Sequence, residues 1–101
     1  MKYIIKLEIL DLYKKNLFYK KIYSCLNSNY NYSGIIIINY LDNTKNEFYF
    51  TYNNNNNFSI IMSYINNKSE YNLEYLYYFV RYIINKSDKS ILNIEFKFTR
   101  K

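Results

Sequence analysis

Histidine, proline, tryptophan, alanine and glutamine are absent from this 101-residue chain, and glycine and cysteine occur once each. Without histidine, a Ser–His–Asp triad and a Cys–His nucleophile pair are excluded. A single cysteine also excludes an internal disulfide and an ordinary zinc site. One glycine allows neither a P-loop nor a dinucleotide-binding fingerprint. Long apolar runs are missing too: the longest aliphatic stretch, Ile35 to Ile38, falls far short of the roughly 18 residues of a membrane span. The opening, Met1-Lys2-Tyr3-Ile4-Ile5-Lys6, reads as a strand and lacks the apolar centre of a signal peptide.

What remains is concentrated. Phe, Tyr, Met, Ile, Asn and Lys make up two thirds of the residues, and their codons are built largely from A and T. The composition therefore records an AT-rich genome, and lysine and asparagine counts carry little functional weight. Pattern carries more, and so do the two arginines, Arg81 and Arg100. A length of 101 residues bounds the chain to one small domain, residues 1–101, whose modest core is enriched by 22% aromatic residues. The net charge of +6 favours anionic partners.

Residues 2–10 alternate as a strand, with Tyr3, Ile5, Leu7 and Ile9 on one side. Asp11 suits the N-cap of a helix running to about Leu26, with Phe18, Ile22, Cys25 and Leu26 on its apolar side. Cys25 there reads as a small buried hydrophobe. Lys15 falls near that apolar side, against the pattern. Ile35–Leu41 and Glu47–Tyr52 form two strands around an Asp42-Asn43-Thr44-Lys45-Asn46 turn. Asn53–Asn57 is a loop by composition, and Phe58–Ile65 extends the hairpin or forms a short separate strand. Ser69 suits the cap of a second helix, Glu70 to about Lys86, with Leu73, Leu76, Tyr77, Val80, Ile83 and Ile84 at helical spacing. A last strand, Ile91–Phe98, alternates Leu92, Ile94, Phe96 and Phe98 against polar residues.

This order predicts an α+β, ferredoxin-like βαββαβ fold: an antiparallel sheet, two helices on one face and an extended hairpin around residues 40–65. The second strand of that topology lies at a sheet edge. Ile35, Ile36, Ile37 and Ile38 are therefore expected to be covered by a protein partner.

The eight acidic residues fall at helix starts, turns and outward strand positions, and no pair is marked for acid–base work, so no enzyme is expected. Binding is better supported. Lys14, Lys20 and Lys21 cluster on the first helix; Arg81, Lys86 and Lys89 mark the end of the second; Lys97, Arg100 and Lys101 form a basic exit. These residues and Lys45 are the candidate RNA contacts, with no cofactor, metal, membrane or small-molecule substrate implied.

One family resembles the chain over roughly residues 2–98: the tenth universal small-subunit ribosomal protein. Ile5-Lys6-Leu7-Glu8-Ile9-Leu10-Asp11 resembles its opening strand and helix start. Gly34, Thr44-Lys45 and Phe48-Tyr49-Phe50 resemble its glycine-led segment, Thr-basic pair and following strand. Leu12 stands where the family has a histidine, and isoleucines follow Gly34 where it has prolines. The resemblance implies a structural component of a mitochondrial small ribosomal subunit, binding rRNA and protein neighbours in the head, in the matrix and organelle-encoded. The eleventh small-subunit protein is a second resemblance, carried by Ile22-Tyr23-Ser24-Cys25-Leu26-Asn27 and the element order. A small viral or phage protein that blocks a host protein by strand-edge contact is the alternative from another class.

Overall fold

Alternating apolar and polar residues become strands wherever one face can be covered. The computed structural model describes residues 2–26, 30–53, 58–61, 68–71 and 73–101, with backbone alone for 58–61, 68–71 and 73–75. In chain order the elements are β1 (Lys2–Leu7), α1 (Ile9–Tyr13), α2 (Lys15–Tyr23), β2 (Tyr32–Tyr40), β3 (Lys45–Tyr52), β4 (Phe58–Ile61), β5 (Lys68–Tyr71), α3 (Leu73–Lys86) and β6 (Ile91–Arg100). The strands form one sheet in the order β1-β6-β2-β3-β4-β5, every neighbouring pair antiparallel. β1 and β2 consequently run the same way with β6 between them, a split β–α–β crossing. The fold is α+β and compatible with the ferredoxin-like type.

Register explains the core. Ile5, Phe96, Ile36 and Phe48 lie side by side across β1, β6, β2 and β3, as do Leu7, Ile94 and Ile38 in the next row. Their side chains share one face, and Phe18 and Ile22 of α2, Leu12 of α1 and Leu76, Tyr77 and Val80 of α3 join them in a single buried cluster. α1 and α2 contact α3, so the helices form one layer over that face.

Four expectations need correction. First, the strand of four isoleucines is not an edge: β2 pairs with β6 on one side and β3 on the other, and Ile36, Ile37 and Ile38 are buried. The edge argument for Ile35, Ile36, Ile37 and Ile38 as a protein interface therefore fails, as does pairing to a host protein through this strand. Ile35 alone is half-exposed, on the open sheet face. Second, the first helix begins at Ile9 and breaks at Lys14, whose backbone is extended at φ −123°, ψ 104°. Asp11 is inside the first turn and not before it. Its buried carboxylate accepts from the Glu8 backbone N–H at 2.9 Å and pairs with Lys21 Nζ at 2.7 Å. Burial opposes its ionisation, but the Lys21 hydrogen bond, the Glu8 N–H and the Lys21 charge together hold the carboxyl below its ordinary range.

Third, Ser69 and Glu70 belong to β5, and the second helix starts at Leu73. Fourth, Leu92 faces solvent at 48% exposure. Asn39 pairs with Asn93 but Tyr40 pairs with Ile91, so Leu92 is the extra residue of a bulge and Ile91 returns to the core side. Buried Asn93 is satisfied there, accepting at 2.8 Å from Asn39 Nδ2, which also donates to Glu95 at 2.7 Å. Of the Phe58–Ile65 expectation, β4 covers Phe58–Ile61. Residues 62–65, like Asn54–Asn57, lie outside the described residues.

The β2–β3 turn is held by Asp42. Asn43 takes the left-handed conformation at φ 69°, which asparagine tolerates well. Asp42 Oδ1 accepts from the Thr44 hydroxyl and, at 3.0 Å, from the Thr44 N–H; Oδ2 pairs with Lys89 at 3.2 Å. The Thr44 hydrogen bonds, side chain first, bring its pKa from 3.8 down to about 2. A depressed folded value means that ionisation favours the fold: the contribution is complete above 3.8 and is lost as pH falls through about 2. In a carboxyl-carbon NMR titration of the folded protein, Asp42 is expected to titrate near pH 2, and Asp42→Asn should flatten that part of the stability profile. A midpoint at the ordinary value would show that Thr44 does not hold the turn.

Candidate nucleic-acid interface

α3 is amphipathic, and its two sides do different work. Leu76, Tyr77 and Val80 are buried, with Ile83 and Ile84 half-buried, as the apolar stripe predicts. The side away from that stripe carries Tyr78, Arg81 and Tyr82, one helical turn apart. Across from it stands the break between α1 and α2. The extended Lys14 ends one helix and begins the next, its carbonyl accepting from Phe18 N–H at 3.1 Å. This places Tyr13 and Lys15 beside α3.

Arg81 is the centre of the arrangement. Its Cζ lies 4.4 Å from the centroid of the Tyr13 ring, and Nη1 donates to the Tyr77 hydroxyl at 3.2 Å. Nε is enclosed and has no acceptor. Among the described residues Arg81 makes no ion pair; aromatic groups hold it. Lys15 Nζ lies 5.0 Å from the Tyr78 centroid and 5.7 Å from that of Tyr19, and donates to the Tyr78 hydroxyl at 3.4 Å. Lys86 stands 5.7 Å over Tyr82. Tyr13 is 50% exposed and Tyr78 52%, so their rings are shared between a cation and solvent.

The ten candidate RNA contacts thus separate into groups. Lys14, Lys20, Arg81 and Lys86 belong to the helical layer. Lys21, Lys45 and Lys89 are tied to Asp11, Glu47 and Asp42 at 2.7, 3.0 and 3.2 Å, which lowers their claim on a phosphate. Lys97 lies on the opposite, open face of the sheet in the row Ile4, Lys97, Ile35, Tyr49. Arg100 stacks on Tyr30 at 4.2 Å at the end of β6, and the Lys101 N–H donates to Asn31 O at 2.8 Å. Both arginines of the chain therefore sit on tyrosine rings.

Sequence reasoning missed Tyr13, Lys15 and Tyr78. Lys15 looked like a flaw in an apolar stripe because a continuous helix was assumed; the break at Lys14 rotates it outward. The spacing of Tyr78, Arg81 and Tyr82 opposite a clear apolar stripe was a readable signal. Among the described residues no group of His, Cys, Asp or Glu side chains could hold a metal ion, and no helix is long and apolar enough to cross a membrane. Comparison with protein-family models, curated proteins and solved structures found no match.

Proposed function

We propose that the protein is a structural, non-catalytic RNA-binding component of a ribonucleoprotein, and that its helical layer is the RNA-facing side. The observation that carries this reading is Arg81: a half-buried guanidinium held by the Tyr13 ring and the Tyr77 hydroxyl, with Nε lacking an acceptor. A guanidinium held by aromatic groups and by no carboxylate keeps its full positive charge for a phosphate. Lys14, Lys20 and Lys86 add positive charge to the same helical layer. The assembly we favour, a mitochondrial small ribosomal subunit, rests on the resemblance of the opening strand, Gly34 and the Thr44–Lys45 pair.

Affinity for a structured RNA, measured across a salt series, tests the reading. Log K should fall linearly with log salt, and Arg81→Ala should weaken binding and reduce the slope by about one. Lys45→Ala, already neutralised by Glu47, should leave both nearly unchanged. Absent or salt-insensitive binding would reject the proposal. Sedimentation of a native lysate then addresses the assembly: co-migration with the small subunit after a moderate salt wash is expected.

A further inference from the structure

The helical face offers more than charge. Duplex RNA presents a phosphate backbone, and flexible cations spaced along it suffice to bind it. Here the cations are fixed onto aromatic rings, and those rings are half open to solvent. A ring held by a cation on one face keeps its remaining surface for a nucleobase. Tyr13, half exposed with Arg81 4.4 Å from its centroid, is such a ring, and Tyr78, half exposed with Lys15 5.0 Å over its centroid, is a second. Five N–H donors belong to that guanidinium; Nη1 donates to the Tyr77 hydroxyl, and Nε has no acceptor.

We infer that this face takes an unpaired RNA segment, one base stacking on the Tyr13 ring beside Arg81 and another on Tyr78, with the intervening phosphate accepting from Arg81. The inference rests on the RNA-binding reading above and names its ligand class. Exposed tyrosines alone would not carry it in a chain with 15 of them. Tyr49, 54% exposed on the open sheet face with Ile35 between it and Lys97, has no cation over its ring among the described residues and serves as the internal comparison.

The experiment uses the full chain with two probes, a fluorescein-labelled oligouridine and a labelled RNA duplex, read by anisotropy across a salt series. Three substitutions are compared: Arg81→Lys, which keeps the charge and loses the plane; Tyr13→Leu; and Tyr49→Leu. Far-ultraviolet circular dichroism confirms that each is folded. The expected result is tighter binding of oligouridine than of duplex, lowered roughly tenfold by Arg81→Lys and by Tyr13→Leu. Duplex affinity and the salt slope should be unchanged by both, and Tyr49→Leu should have no effect. Salt-dependent binding of both probes with equal affinity, insensitive to Tyr13→Leu, would overturn the stacking inference and leave the phosphate-binding reading standing. No salt-dependent binding to either probe would overturn both.

Discussion

Replacing Gly34 by valine is expected to abolish folding, and replacing it by alanine to cost about 3 kcal/mol or more. The position lies in β2 opposite Phe98 of β6 and Phe50 of β3. A Cβ added there would fall 2.0 Å from the Lys97 carbonyl oxygen and 2.6 Å from both Cα and Cβ of Phe98. Two of those three atoms belong to the neighbouring backbone, so no side-chain rotation relieves the overlap and the strands themselves must separate. β2 and β6 are adjacent inner strands that both supply the buried core, and separation there parts β1 and β6 from the rest of the sheet. The missing side chain also makes room for the aromatic rings on either side: Phe98 and Phe50 approach to 6.2 Å between centroids, and Tyr3 stacks on Phe98 at 5.3 Å. Chemical denaturation of Gly34→Ala beside Ser33→Ala, the preceding residue on the open face, separates a local clash from general intolerance of β2. An unchanged midpoint for Gly34→Ala would mean that the two strands do not approach as described.

That role was invisible in the sequence, where Gly34 closed a polar loop. Local patterns were legible because they depend on neighbours in the chain. The alternation of Tyr3, Ile5 and Leu7, the stripe on α3 and the turn chemistry at Asp42 all appear where expected. Sheet order depends on which strands meet across long separations, and nothing local encodes it. The isoleucine run was nevertheless a usable sign: consecutive apolar residues without alternation mark a strand in the interior of a sheet and not at its edge. Ile37 bears this out on the open face, only 6% exposed between Glu95 and Glu47 in its row. The helix break at Lys14 had no proline or glycine to announce it, and the cap chemistry of Ser69 and Glu70 fitted a helix start as well as the four-residue strand that forms there.

The candidate site divides in the same way. That the chain is basic could be read directly, but which lysines retain an unneutralised charge depends on pairs such as Lys89–Asp42, 47 residues apart, and Lys21–Asp11 across the helix break. The arginines proved informative for a physical reason. A planar, weakly hydrated guanidinium stacks on a ring more readily than an ammonium does, and among the described residues the two shortest cation–ring distances belong to Arg100 and Arg81.

Phe96→Ala is expected to lower stability by about 3–5 kcal/mol, the usual cost of removing a fully buried phenyl ring and leaving its cavity. Phe96 has no exposed surface and sits in register between Ile5 and Ile36, its ring 5.7 Å from that of Phe50. A domain of this size holds roughly 5–15 kcal/mol in all, so the variant is expected to melt about 15–30 °C lower if it folds at 25 °C. Phe96→Leu, which retains most of the volume, should lose less than about half as much. The contrast between the two isolates packing from hydrophobicity. It also separates structure from binding, because Phe96 faces the helical layer from beneath and touches no proposed RNA contact. At a temperature where Phe96→Leu is fully folded, its RNA affinity should equal that of the parent chain, whereas Arg81→Ala should lose affinity with its melting temperature little changed. A Phe96→Ala variant as stable as the parent would contradict a close-packed centre between β1, β6 and β2.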